Sequence, residues 1–440
     1  MSRLWLLLAL PLLVVTLYGC TRVEPPAQPS ATGPAGPATG AAGTKLVLFT
    51  YTPPDEEAVN LELIKKFEQA HPNIKVELQN APGGSQQAMT KLQTMISGQA
   101  GPDVMAIHGA FFIPMASKGA LLDLSDRVKQ SGDEADFSPA ILDICRWEGK
   151  LYSLPRYTSV YSLFYNKTLF DAAQQPYPGS GASWTWDDYL KAAKALTKDT
   201  NRDGKPDQWG CVIDFWGARM YPWLWQNGAS LMNADRSKCV LDSPAAVEAV
   251  QFVYDLRHKH KVAAASDNAE QNAALNAFVQ GHIAMYMTGP WDIQLLRETK
   301  DLQWDVAPLP ERKHKATLLG TENYAIWSGT KHPDEAWALF SYLLSPEAQT
   351  MMADRLEKMP SRISVLKGAY SQAQTDHNRK VFVDSLEYAR QPENIPEWSQ
   401  VKDLIQNQLD LIWVGKTSVQ AGLKKAAGDV NATLKKLRGK

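Results

Sequence analysis

Residues 45–78 read KLVLFTYTPPDEEAVNLELIKKFEQAHPNIKVEL. The run 45–50 is apolar and of strand length, and the Pro-Pro pair that follows ends it. The acidic triplet Asp55, Glu56 and Glu57 then opens a helix with Val59, Leu63 and Phe67 on one face, and His71-Pro72 closes it. Ile74, Val76 and Leu78 alternate as a second strand. A second helix over 86–97, with Met89, Leu92 and Ile96 inward, leads through Gly101-Pro102 into the strand DVMAI (103–107). Strand, helix, strand, helix, strand predicts a parallel sheet covered by helices, which is an α/β fold. Ligands of such sheets sit beyond the carboxyl ends of the strands, so Tyr51-Thr52, the 83–86 loop and the 108–112 loop become candidate binding segments.

The pattern continues into a second body. Residues 152–170, YSLPRYTSVYSLFYNKTLF, are aromatic and β-rich, with a break at Pro155 suited to a crossing between lobes. Thr185-Trp186-Asp187-Asp188 reads as a capping box that opens the helix DDYLKAAKALTK. A strand (WGCVID), the aromatic run FWGARMYPWLWQNG, helices at 243–260 and 272–281, and the strand HIAMYMT follow in order. Gly289-Pro290-Trp291-Asp292 opens a further helix, WDVAPLP is strand-like, and the last hundred residues are mainly helical.

A chain of 440 residues with 44% hydrophobic and 21% charged residues buries large cores, in two lobes or more. A formal net charge of −1 excludes a nucleic-acid backbone binder, which needs a basic surplus. The 14 Trp and 15 Tyr are many; some must be structural, but flat amphipathic rings in such number also suit stacking surfaces.

The first residues read as a processing signal. Met1-Ser2-Arg3 is a short positive region, 4–17 is an apolar core too short to span a bilayer, and Leu17-Tyr18-Gly19-Cys20 resembles a bacterial lipobox. Residues 1–19 are thus expected as a lipoprotein signal peptide with Cys20 as the lipidated residue, a plain secretory peptide being the alternative. Residues 20–44 are rich in Pro, Gly and Ala and form a tether. The expected location is extracytoplasmic, lipid-anchored to the bacterial cell membrane. In that oxidising compartment Cys211 and Cys239, both in strand-like stretches, are the favoured disulfide pair, with Cys145 left over.

Enzymatic motifs are mostly absent: there is no HExxH, GxSxG or GxGxxG. Val414-Gly415-Lys416-Thr417 mimics the end of a phosphate loop, but Asp410 stands where its first glycine belongs and a helix precedes it. His258 and His260 close an amphipathic helix, where cations suit the dipole. Asp187 and Asp188 could suggest a glycosidase pair, yet the first turn of a capped helix explains them. Residues 199–210, DTNRDGKPDQWG, resemble a calcium loop: Asp199, Asn201, Asp203, the Lys205 carbonyl and Asp207 take alternate positions around Gly204. Gly210 stands where the bidentate Glu is required, so structural Ca2+ competes with a solvated Asp–Gly turn. No other cofactor is required.

Tyr51, Tyr157, Trp216, Trp291 and Trp398 fall in loops or at element ends, with Gln86, His108, Asp292, Glu322, Asn323 and Arg362 near them as polar partners. Flat rings with fixed donors and acceptors suit a polyhydroxylated ligand.

Several segments, in this order behind a lipobox and tether, resemble the extracellular solute-binding proteins of ABC importers in their sugar-binding branch. They are SGQAGPDVMAI, EGKLYSLPRYTSVYSLFYNKTLF, SWTWDDYLKAAKALT, AFVQGHIAMYMTGPWD, KHPDEAWALFSYLLSPEAQ, NIPEWSQV and VGKTSVQAGLKKAA. The resemblance covers about residues 45–437. It implies a two-lobed periplasmic-binding-protein fold of type II, each lobe a mainly parallel sheet flanked by helices, with a ligand cleft between them. Crossings near Pro155, Asp305 and Pro360 would make 45–156 plus 306–361 lobe one and 157–305 plus 362–440 lobe two. Carried over by motif, Gln86, His108, Tyr157, Trp291, the 320–323 stretch, Arg362 and Trp398 would bind ligand. The implied role is a non-enzymatic, monomeric receptor for a carbohydrate, delivering it to permease subunits whose ATPases are separate chains. A glycerol-phosphate-type ligand in the same fold, or a secreted carbohydrate-active enzyme, is the alternative. No nucleic acid is implied.

Overall fold

The computed structural model describes residues 43–81, 84–180, 183–213, 217–265, 273–393 and 395–439. The chain opens with strand β1 (Thr44–Thr50), helix α1 (Pro54–Ala70), β2 (Ile74–Asn80), α2 (Ser85–Ser97) and β3 (Val104–His108). Short helices then lead to β4 (Ser153–Val160), β5 (Ser162–Asn166), α3 (Trp186–Leu196), β6 (Trp209–Ile213), α4 (Gly217–Gln226) and α5 (Pro244–His258). Next come β7 (Ala263–Ala265), β8 (Ile283–Thr288), β9 (Trp304–Ala307) and β10 (Thr317–Ile326). Helices α6 (Pro333–Leu343) and α7 (Pro346–Leu356), the two-residue strand β11 (Ala389–Arg390), α8 (Trp398–Trp413) and α9 (Val419–Arg438) complete the main elements.

The strands form two principal sheets. The first has the order β11-β10-β3-β1-β2, with β4 also on β10; the second has the order β9-β5-β8-β6-β7. Pairs β1–β2, β1–β3, β6–β8 and β6–β7 are parallel. The antiparallel pairs involve β4, β5, β9 and β10, the strands on which the chain passes between sheets. A chain returning from the other lobe enters its sheet from the opposite end, so it runs against the parallel strands.

Both faces of each sheet are covered, and the period of two shows it. Leu46, Leu48, Val104, Ala106, Tyr324 and Ile326 pack with Val59, Leu63 and Phe67 of α1 in one core. Their neighbours Phe49, Met105, Ile107 and Ala325 pack with Met89 and Leu92 of α2 in another. The same alternation sends Leu163, Tyr165, Cys211 and Ile213 to one face of the second sheet, and Phe164, Val212 and Tyr286 to the other.

The lobe boundaries differ from the sequence expectation. Strand β4 stays in the first sheet to Val160, and β5 begins the second at Ser162, so the first passage is at Tyr161 rather than near Pro155. Strand β9 still belongs to the second sheet at Ala307 and β10 joins the first at Thr317, which puts the second passage in 308–316. Strand β11, assigned by sequence to lobe two, pairs in parallel with Thr317 and Leu318 of the first sheet. Pro155 misled because β4 lies beside only one neighbour and tolerates a residue without an N–H.

Thr185 caps α3 as expected: its hydroxyl accepts from the Asp188 N–H, and the Asp188 carboxylate accepts from the Thr185 N–H. That carboxylate is engaged in a cap, which removes the paired-acid reading of Asp187 and Asp188.

The expected Cys211–Cys239 disulfide is absent. Cys145, Cys211 and Cys239 are all free and buried. Cys211 lies in β6, its thiol toward the Val262 carbonyl, whereas the Cys239 segment is held by Asn431 of α9. Strand propensity on both sides gave no information on which face each thiol takes. Burial pushes the thiols of Cys145 and Cys211 up to about 12 and that of Cys239 up to about 11. Iodoacetamide is therefore expected to leave all three unmodified in the native protein and to label all three in guanidinium, read by peptide mass spectrometry.

Candidate functional site

One cavity of about 530 Å3 opens between the sheets. The first lobe contributes Gln86 at the start of α2, His108 at the carboxyl end of β3, and Gly320 and Thr321 of β10. Ser159 of β4 and Tyr161 of the passage also line it; the second lobe contributes Tyr221 of α4, Trp291, Glu393 and one face of α8. Strand ends of a parallel sheet expose unpaired backbone and loops, which is where such folds place ligands.

Local sequence explains each position. Trp291 sits in the turn Pro290–Asp292 after β8 and is 43% exposed, an unusual state for indole. Its ring packs over Gly289, where any Cβ would overlap it, and meets Tyr161 edge-on at 5.3 Å between centroids. Gly109 likewise has no room for a side chain against Thr321, so β3 and β10 approach closely at the cavity floor. His108 accepts from the Ala110 N–H through Nδ1, which fixes its ring. Trp398, Lys402, Ile405, Gln406 and Leu409 share one face of α8 and all line the cavity. The Lys402 ammonium donates to the Gln86 side-chain carbonyl at 3.0 Å, a bond from one lobe to the other across the cleft.

Beside the cavity lies an ionic cluster. Glu56, 1% exposed, pairs with Arg156 and, at 2.9 Å, with Lys358. Arg156 stacks on the rings of Tyr157 and Tyr324 at 4.6 and 5.3 Å, and the Tyr51 hydroxyl donates to Glu322. Burial holds the hydroxyls of Tyr51 and Tyr157 protonated well above the usual tyrosine range. Burial also pushes the Asp292 carboxyl up to about 6, opposed by the Thr288 hydroxyl and by Arg219 and Lys358. The same cause brings the Lys358 ammonium down to about 8.

Of the residues expected from sequence, Gln86, His108, Trp291 and Trp398 line the cavity together. Tyr51, Tyr157 and Glu322 form the adjacent cluster, and Asp292 is buried behind Trp291, accepting from Thr288. Two expectations are corrected. Arg362 is 4% exposed, donating to the Leu344 carbonyl and to Asp133 and Asp136, so it fastens a distant acidic turn to the segment after α7. Asn323 is fully buried at a bulge between Glu322 and Asn323 in the β4–β10 pairing, away from the cavity. Trp216 and Cys20 lie outside the described residues. Tyr161, Tyr221, Glu393, Lys402 and Lys358 were not singled out; only Lys402 carried a sequence signal, one helical turn beyond Trp398.

The loop 199–207 lies on its own between α3 and β6. Asp199 accepts from the N–H groups of Asp203 and Gly204, and Asp207 from Thr200 and Asn201. Asn201 and Asp203 accept from Asp203 and Lys205 in turn. Among the described residues no three His, Cys, Asp or Glu side chains are grouped to hold a metal. No described helix is long and apolar enough to cross a membrane.

Two α/β lobes with a ring-lined cleft at their strand ends define a binding protein of the periplasmic type. Residues 52–350 match the bacterial extracellular solute-binding proteins, and the chain belongs to that family. A putative binding protein of Brucella abortus is 27% identical over 384 residues, 85% of this chain and 89% of that one. The fold matches an ABC substrate-binding protein of Listeria monocytogenes in complex with cycloalternan, with a TM-score of 0.81 and 26% identity over 90% of this chain and 99% of that one. It also matches a solute-binding protein of Thermotoga lettingae bound with α-D-tagatose, with a TM-score of 0.79 and 25% identity over 89% and 100% of the two chains.

Proposed function

We propose that the protein is the extracytoplasmic receptor of an ABC importer and that its ligand is a mono- or oligosaccharide. The observation that carries this is the convergence of Tyr161, Trp291 and Trp398 from the passage and the second lobe onto one cleft, faced by His108, Gln86 and Thr321 of the first. Rings take the C–H faces of a sugar and the polar groups take its hydroxyls. The Listeria and Thermotoga proteins, whose structures hold sugars, support the reading. An anionic ligand is disfavoured, because Arg156 and Arg362 are engaged by Glu56 and by Asp133 and Asp136, Arg219 donates to the Met287 carbonyl and Lys402 to Gln86.

A sugar that touches both lobes binds the closed form better than the open one and shifts the population toward it. No bond is made or broken, so the protein is a receptor and not an enzyme. The closed form is what a permease would engage, with ATP hydrolysis on other chains. Cys20 is read as the lipid anchor of a monomeric receptor; Cys20→Ser is expected to release the protein from the membrane fraction.

A thermal-shift screen against a sugar panel tests the reading, since a ligand at 100 times its Kd stabilises by about 2.7 kcal/mol. With the best hit, Trp291→Ala is expected to weaken binding about tenfold by calorimetry, through loss of ring contact. Unchanged affinity would remove Trp291 from the site, and turnover of an oligosaccharide would sink the receptor reading.

A further inference from the structure

The cavity does not stop at the cleft. Its inner end runs between α4, α5, α8 and α9 into the main core of the second lobe, where Leu224, Leu231, Leu241, Val250, Leu409 and Leu423 line it. Each of these side chains is 4% exposed or less, so this is interior space and not a surface groove. A sugar has no use for such a wall: its hydroxyls would lose water and find no partner. An apolar void in a core also weakens it, because the lining loses its packing contacts. Such spaces stay dry and accept apolar guests.

Two polar atoms stand in the wall near α4. The Tyr221 hydroxyl, in a residue 3% exposed, and Glu393 Oε2 both lack a hydrogen-bond partner. A guest carrying one polar atom at the junction of cleft and chamber, such as a glycosidic or phenolic oxygen, would satisfy the tyrosine and continue inward as hydrocarbon.

Resting on the carbohydrate reading of the cleft, we propose that the chamber is a second subsite, which takes an apolar aglycone carried by the sugar, an aryl or short alkyl glycoside. The sugar lies on Trp291 and Trp398 and the aglycone points inward past Tyr221.

The test pairs free sugars (glucose, galactose, mannose, N-acetylglucosamine and maltose) with their p-nitrophenyl glycosides in calorimetry. For the sugar that binds, the glycoside is expected to bind roughly tenfold tighter or more. Val250→Phe, which fills the chamber from α5, is expected to abolish that preference and leave the free sugar unchanged. Should Val250→Phe fail to fold, Leu241→Phe fills it from the opposite wall. Equal affinity for sugar and glycoside in the unaltered protein, or a preference that survives the filled chamber, overturns the proposal. Crystals under xenon give a readout independent of any sugar. Density among Leu231, Leu241 and Leu409 is expected, and its absence also overturns the chamber. Failure of every sugar and glycoside with xenon present would instead bring down the carbohydrate reading.

Discussion

Glu56→Ala is expected to lower the unfolding free energy by about 3–5 kcal/mol, the usual cost of removing one partner from a buried ion pair. The carboxylate is 1% exposed and carries two cations, Arg156 at 4% exposure and Lys358, whose side chain is 15% exposed. Alanine would remove the one carboxylate in direct contact with both cations, leaving only longer-range attraction such as that of Glu322. Glu322, which accepts from the Tyr51 hydroxyl, makes no direct pair with either cation, and the faces of Tyr157 and Tyr324 offer only a quadrupole. The loss falls on the first lobe at the cleft, since α1 holds Glu56, β4 holds Arg156, and Lys358 follows α7. Urea denaturation measures it, as a lower midpoint with the slope against urea unchanged. A loss below about 1 kcal/mol would mean that water reaches the cluster and that the pair behaves as a surface bridge.

Glu56 also shows what the sequence displayed and what it concealed. Its place in the first turn of α1, after Pro54, is legible, because acids and proline both suit a helix start. That reading is true of Asp55 and Glu57 and incomplete for Glu56, whose partners lie 100 and 302 residues away. Periodicity carries the elements and their buried faces: Val59, Leu63 and Phe67 inward, Leu48 and Phe49 on opposite sides of a strand. Site residues announced by local oddity were also legible, such as Trp291 after Gly-Pro or His108 at the end of a buried strand. What failed required pairing across the chain. Arg362 looked like a cleft cation until its partners Asp133 and Asp136 came beside it. The two strand-like cysteines gave no sign that the Cys211 thiol would turn to the Val262 carbonyl while the Cys239 backbone is held by Asn431 of α9. The inner chamber is invisible in sequence for the same reason, since it is a gap left where four helices meet and every residue around it reads as ordinary core.

Asp292→Asn is expected to stabilise the protein at pH 7 by up to about 3 kcal/mol and to flatten its stability between about pH 4 and 6. Burial is the cause: the carboxyl is 9% exposed and titrates at about 6, against 3.8 for a free aspartate. Below pH 4 it is protonated in both states and has no effect. Between 4 and 6 the unfolded chain has lost the proton and the folded one retains it, so the folded state binds more protons and stability falls as pH rises. Above 6 the penalty is complete. Lys358 acts in the other direction: its folded value of about 8 lies below the free 10.5, so stability recovers as pH rises from about 8 toward 10. Together the two groups make the protein least stable between about pH 6 and 8. Arg219 and Lys358 favour the carboxylate without offsetting its burial, and an amide would keep the bond to the Thr288 hydroxyl. A charge held at a loss directly behind Trp291 makes Asp292 a candidate ligand group under the proposed carbohydrate reading. The same Asn variant should therefore weaken sugar binding while it raises the urea midpoint at pH 7. A variant that gained stability and bound sugar normally would mark Asp292 as a structural residue and remove it from the site.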